Sequence, residues 1–192
     1  MTLKFLESKK AILDFKYAKD ELKIKKEMVS IIESLFEDAV NNYLDKEPEI
    51  KKVWDNPVEV DYTRNVVITE SVNFKSDADI KYLYREIVKK THPDKISHLS
   101  LEEISFRSDI YIDAVESYNN NDIYDLIYYA YCLKIEIDPN IIDIKSINEQ
   151  TKKFISESNF LENSFAWKWY NSLDIEKELI VEKFLNKKLY NL

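Results

Sequence analysis

Residues 80–95 read IKYLYREIVKKTHPDK, and this stretch decides how the rest of the chain is read. Lys81, Arg85 and Lys89 recur every fourth residue, so on a helix they share one face, with Lys90 beside them. Leu83 and Ile87, joined by Tyr84 and Val88, point the other way, toward a core. The end of the helix is equally well marked. Proline disfavours helical geometry in the residue before it and has no N–H with which to continue a helix. The spacing therefore predicts a helix that stops near Thr91 and presents His92 and Asp94 on an exposed loop beside a cationic stripe.

Ile80, Lys81, Tyr84, Arg85, Ile87, Val88 and Lys90, followed by His92, Pro93, Asp94 and Lys95, resemble the second helix and signature loop of the J-domain (DnaJ-like) co-chaperones. The tripeptide alone carries little weight, since average composition places it in roughly one chain in a hundred of this size. Its position at the end of a basic amphipathic helix, with a second helix following, carries the specificity. The resemblance covers about residues 76–120. It implies that His92, Pro93 and Asp94, with Lys81, Arg85, Lys89, Lys90 and Lys95, dock on a DnaK-type ATPase chaperone and stimulate its ATP hydrolysis. Arg107 on the next helix would extend that surface. It also implies that this chain catalyses nothing itself and holds no cofactor or metal. Three departures stand out. Thr91 replaces the family's usual aromatic, Ile96 replaces the usual Asn, and no Tyr-x-x-Leu-Gly signature precedes the basic helix.

Composition narrows the alternatives. The chain has 192 residues, 45% of them hydrophobic, enough for one good-sized domain or a small one with helical extensions. There is no glycine and there are only four prolines, so tight hairpins and Gly-rich phosphate loops are excluded and long helices fit. The net charge of -8 argues against nucleic acid and against an anionic membrane surface, and makes the local basic stripe stand out. One cysteine, Cys132, cannot form an internal disulfide and points to a reducing, cytoplasmic setting. It lies in an apolar helix and reads as a small buried hydrophobe. The N-terminal MTLKFLESKK lacks the apolar region of a signal peptide, and no apolar run is long enough to cross a bilayer.

The chain divides into four stretches. In 1–47, Ala11, Phe15, Ala18, Leu22, Val29, Ile32, Phe36, Ala39 and Tyr43 alternate at three and four, broken at Lys25. That is a coiled-coil-like seam on one helix about 60 Å long if straight, either packed back on the chain or paired with a second copy in a homodimer. The 48–75 stretch holds a short helical turn around Trp54, then a small β-hairpin over 58–70 or an extended linker.

The third stretch, 76–136, is the J-domain-like module. Ser76 starts the basic helix, and Ser100 with Glu103 forms a capping box that opens the next. Leu101, Ile104, Tyr111, Val115 and Tyr118 give that second helix an apolar face, so the two form an antiparallel hairpin with His92, Pro93 and Asp94 at its tip. Residues 119–122 end it, and Ile123, Leu126, Ile127, Ala130 and Leu133 make a further short helix. In 137–192, Asp138 and Pro139 restart a helix interrupted near Asn159, an aromatic knot holds Phe165, Trp167, Trp169 and Tyr170, and Asp174 opens the last helix.

Two chemical readings fail on their residues. His92, Asp94 and His98 offer too thin a ligand set for a metal, and no nucleophile motif accompanies His92 for hydrolysis. The aromatic knot reads as core filling between helices before it reads as a partner anchor. The expected protein is thus a mainly helical J-domain-like co-chaperone, with client or scaffold contacts made by its N- and C-terminal helices. The other expectation is a helical scaffold protein whose J-like module binds without stimulating an ATPase.

Overall fold

The computed structural model describes residues 3–55, 77–138 and 142–190, and among these it is mainly α-helical, with no strand. The hairpin or linker expected over 58–70 and the cap expected at Ser76 lie outside the described residues. The elements are α1 (Leu3–Lys46), α2 (Pro48–Trp54), α3 (Asp77–Thr91), α4 (Pro93–Ile96), α5 (Leu101–Asn119), α6 (Ile123–Cys132), α7 (Ile144–Glu162), α8 (Phe165–Tyr170) and α9 (Asp174–Tyr190). None of the described helices is long and apolar enough to cross a membrane.

Two compact units emerge, and neither is continuous in sequence. The first takes the described residues within Met1–Lys19 and Ser71–Lys153. Its centre is a triangle: α3 packs on α5, and α6 packs on both. Ile80, Leu83 and Ile87 of α3, Ile110 and Ala114 of α5, and Leu126, Ile127 and Ala130 of α6 are buried there. The Tyr84 and Tyr118 rings stack with centroids 4.3 Å apart, while His92 meets Tyr111 edge-on at 6.0 Å. Residue numbers on α5 fall as those on α3 rise, so the pair is antiparallel, as the sequence pattern predicts.

Without glycine, this unit must close its helix ends with other residues. Asn121 and Lys134 take the left-handed conformation, at φ 55° and 54°. At each, two backbone N–H groups turn back on the helix just ended: Asp122 N–H donates to Ser117 O and Asn121 N–H to Tyr118 O, and Ile135 N–H donates to Ala130 O and Lys134 N–H to Tyr131 O. Both are Schellman closures. Asn tolerates this geometry better than most residues, whereas Lys134 bears a cost of about 1 kcal/mol.

The start of α1 joins this unit through α6. Phe5 meets Tyr131 and Phe15 meets Tyr124, both edge to face. The Lys19 ammonium donates to Asp122 at 3.0 Å and Asp125 at 2.8 Å. Burial works against that charge, but the bonds and charges of Asp125 and Asp122 outweigh it and hold the Lys19 pKa above the ordinary lysine value.

The second unit takes the described residues within Asp20–Glu70 and Phe154–Leu192. Ile32, Phe36, Val40 and Leu44 of α1 are buried with Ala166 of α8 and Val181 and Leu185 of α9. Phe165, Trp167 and Trp169 pack against this cluster, and Phe36 touches both Trp169 and Phe184, so these three aromatics of the knot fill a core while Tyr170 is exposed.

The α1 seam is buried by residues of this same chain within each unit, with one shift of register. The sequence pattern continues to Ala39 and Tyr43, whereas Val40 and Leu44 are the buried residues and Ala39 and Tyr43 lie at the margin. A strict seven-residue repeat drifts around an unsupercoiled helix by about 20° per heptad, which moves burial one residue onward. Lys25, the break in the pattern, keeps its place in the seam by pairing with Glu21 and Glu162.

The helix start expected at Asp138 and Pro139 falls on residues 139–141, outside the described residues, and α7 itself is capped by Asp143, whose Oδ1 accepts from the N–H groups of Lys145 and Ser146. The helix then runs through Asn159 without interruption. The break falls instead at Ser164, whose hydroxyl accepts from Trp167 N–H at 3.1 Å and opens α8.

Candidate functional site: the corner between α3 and α5

The corner begins where α3 must stop. His92 still donates its N–H to Val88 O at 2.9 Å, completing the helix, and then turns extended at φ -58° and ψ 132°. Pro93 forces that turn. The chain beyond it is wound more tightly than the expected loop. Pro93 occupies the first position of the single turn α4, where a missing N–H costs nothing. His92 caps this turn: its Nδ1 accepts from the Asp94 N–H at 3.3 Å, and its carbonyl accepts from Lys95 N–H at 2.8 Å. In the neutral ring, an accepting Nδ1 leaves the proton on Nε2.

Both polar groups of the corner reach water. The Asp94 side chain is 86% exposed and that of His92 41%, and the carboxylate lies 3.6 Å from Nδ1. Their backbone, by contrast, stands between two buried anchors, Thr91 and Ile96. The Thr91 hydroxyl is satisfied by donating to Ile87 O at 3.0 Å. Thr91 is thus a packing residue, in a place too enclosed for an aromatic ring.

The cations sort into two groups. Lys81, Arg85 and Lys89 line the exposed side of α3, opposite Leu83 and Ile87. Lys81 and Arg85 make no ion pair among the described residues, whereas Lys89 pairs with Glu86 one turn back at 2.5 Å. An exposed pair of that kind contributes only a few tenths of a kcal/mol and leaves the charge accessible. Lys95 is exposed on α4.

Lys90 and Arg107 are different. The Lys90 ammonium donates to Leu133 O at 3.0 Å, capping the end of α6. Arg107 donates from Nη1 to Lys90 O at 2.8 Å and from Nε to Glu103 at 2.7 Å. Both bind the unit together beneath the corner instead of standing with the free stripe. Their distinction from Lys81 and Arg85 is partly legible in sequence, since Lys90 lies nearer the apolar side of α3 than the four-residue repeat does.

Sequence reasoning missed Tyr82, which is exposed among the cations on α3. Among the described residues no three His, Cys, Asp or Glu side chains gather as a metal-binding group, and His98 stands exposed on its own. The chain matches no protein-family model, no curated protein and no solved structure.

Proposed function

We propose that this chain is a J-domain-like co-chaperone that docks on a DnaK-type ATPase chaperone through His92, Pro93 and Asp94 and stimulates its ATP hydrolysis. The observation that supports this most is the corner itself. A stiff turn, anchored by buried Thr91 and Ile96, holds a carboxylate and an imidazole in water at the head of two packed antiparallel helices. Asp94 is suited to accept charge-assisted bonds from an arginine of the partner. Pro93 and the His92 cap fix the turn beforehand, which lowers the ordering cost of binding. Lys81, Arg85, Lys89 and Lys95 steer an acidic partner surface toward the corner. In this reading the chain performs no chemistry, works in the cytoplasm, and leaves hydrolysis to its partner.

The test of docking is direct titration of the full chain against a DnaK-type chaperone in its ATP state. Binding should weaken on the order of tenfold or more with Asp94→Asn, and its on-rate should fall with added salt and with Lys81→Ala/Arg85→Ala. Unchanged affinity in Asp94→Asn would remove the proposal's main support. The second reading, a helical scaffold whose J-like module binds without stimulation, draws on Lys90 and Arg107. Two cations that the resemblance assigns to docking are engaged inside the unit. Binding without acceleration of hydrolysis would favour it.

A further inference from the structure

The second unit leaves one helix face uncovered. On α1, Ile24, Met28, Ile31 and Leu35 repeat at four, three and four, so they form a single stripe. All four are exposed, Ile24 at 56% and Ile31 at 64%. With 3.6 residues per turn, this stripe lies about a third of a turn round the helix from the buried row of Val29, Ile32, Phe36 and Val40. The helix is apolar on two sides, and only one of them meets the core of its unit.

The residues beside the stripe indicate what would cover it. Asp20, Glu27 and Asp38 border it on one side and Glu21 on the other. Lys25 bonds Glu21 as well as Glu162, which offsets the charge on that margin, and Lys26 bonds Glu157, so the acidic margin is the one formed by Asp20, Glu27 and Asp38, with Lys23 farther round the helix. An apolar stripe with an acidic margin complements an amphipathic helix with a basic margin. A second copy is a poor fit, because antiparallel pairing about the centre of the stripe sets Asp20 and Glu21 against Asp38. Within this unit the stripe runs over twelve residues of α1, about 18 Å, enough to seat a short helical segment.

We infer that the Ile24, Met28, Ile31 and Leu35 face of α1 is a docking site for a cationic amphipathic helical segment of another protein. This site does not depend on the co-chaperone reading, and its test involves no ATPase. The probe is a labelled synthetic 14-residue helix carrying leucines at four, three and four spacing with lysines at the margins, followed by fluorescence anisotropy with the full chain. Controls are the same peptide with glutamates for lysines and a scrambled peptide of the same composition.

The cationic helix should bind and the two controls should not. Ile24→Gln/Ile31→Gln and Glu27→Lys/Asp38→Lys should each weaken binding on the order of tenfold. These are surface positions, so an unchanged circular dichroism melt confirms that each variant folds. No binding by the wild-type chain, or equal binding to the scrambled peptide or to Ile24→Gln/Ile31→Gln, overturns the inference. A concentration-dependent dimer of the wild-type chain, abolished by Ile24→Gln/Ile31→Gln, overturns it in favour of a second copy.

Discussion

Arg107 Nη1 donates to Lys90 O at 2.8 Å, so a side chain of α5 closes the last turn of α3 immediately beneath the corner. Because Lys90 in turn donates to Leu133 O, three helix segments meet at one backbone position. Arg107→Ala should lower unfolding free energy by about 1–2 kcal/mol, the usual worth of a charged hydrogen bond that is partly exposed. Arg107→Lys should not restore it, since an ammonium cannot serve Lys90 O and Glu103 together in the planar fork of a guanidinium. Urea denaturation followed by circular dichroism reads the difference; equal midpoints for all three proteins would show that the contact is incidental.

Thr91 is fully enclosed, and its side chain reaches only Ile87 O. Replacement with the larger aromatic that the J-domain pattern carries should overpack this site. Thr91→Phe is expected to destabilise by about 1–3 kcal/mol, whereas Thr91→Val, which keeps the shape and loses only the hydroxyl's bond to Ile87 O, should cost about 1 kcal/mol. Thermal melts of the two variants check this. An aromatic tolerated without loss would mean that the position opens readily to solvent.

Alkaline pH should unfold the first unit by two routes that act in the same direction. Burial pushes the Tyr131 phenol up, and burial, with the nearby Asp143 charge, pushes the Tyr124 phenol up as well. Above pH of about 10 the unfolded phenols ionise while the folded ones resist, so stability falls as pH rises toward the folded values. Lys19, raised in the folded state, contributes stability that is complete below about pH 10.4 and is lost as pH passes through its folded value. The Tyr131 hydroxyl is buried with no hydrogen-bond partner. Tyr131→Phe should therefore match or exceed wild-type stability at neutral pH by about 1 kcal/mol and shift the alkaline midpoint upward. A pH titration followed by circular dichroism tests both effects; a lower alkaline midpoint in the variant would refute the assignment.

Much of this architecture is legible from local chemistry. Pro93 alone places the end of α3 at Thr91, and Ser100 with Glu103 opens α5 because a hydroxyl there meets an otherwise orphaned N–H at 3.3 Å. The remainder depends on three-dimensional neighbours. Val40 replaces Ala39 in the core because register drift accumulates over the length of α1. The Ile24 to Leu35 face is present in the sequence too, but beside the core seam, about a third of a turn away, it does not stand out as a separate stripe. At the corner, residue identity locates His92 and Asp94, while the division of the cations between free and engaged depends on which carbonyls of neighbouring helices, Leu133 O and Lys90 O, come within reach.

The central claim is that the exposed corner couples this chain to another protein's ATPase, and a single-turnover ATP hydrolysis assay tests it most directly. The full chain, added to a DnaK-type chaperone loaded with ATP, should accelerate hydrolysis. His92→Gln should abolish the acceleration while leaving the thermal melt within about 0.5 kcal/mol of wild type, since an exposed cap at 3.3 Å contributes little. No acceleration by the wild-type chain, or equal acceleration by His92→Gln, would contradict the account.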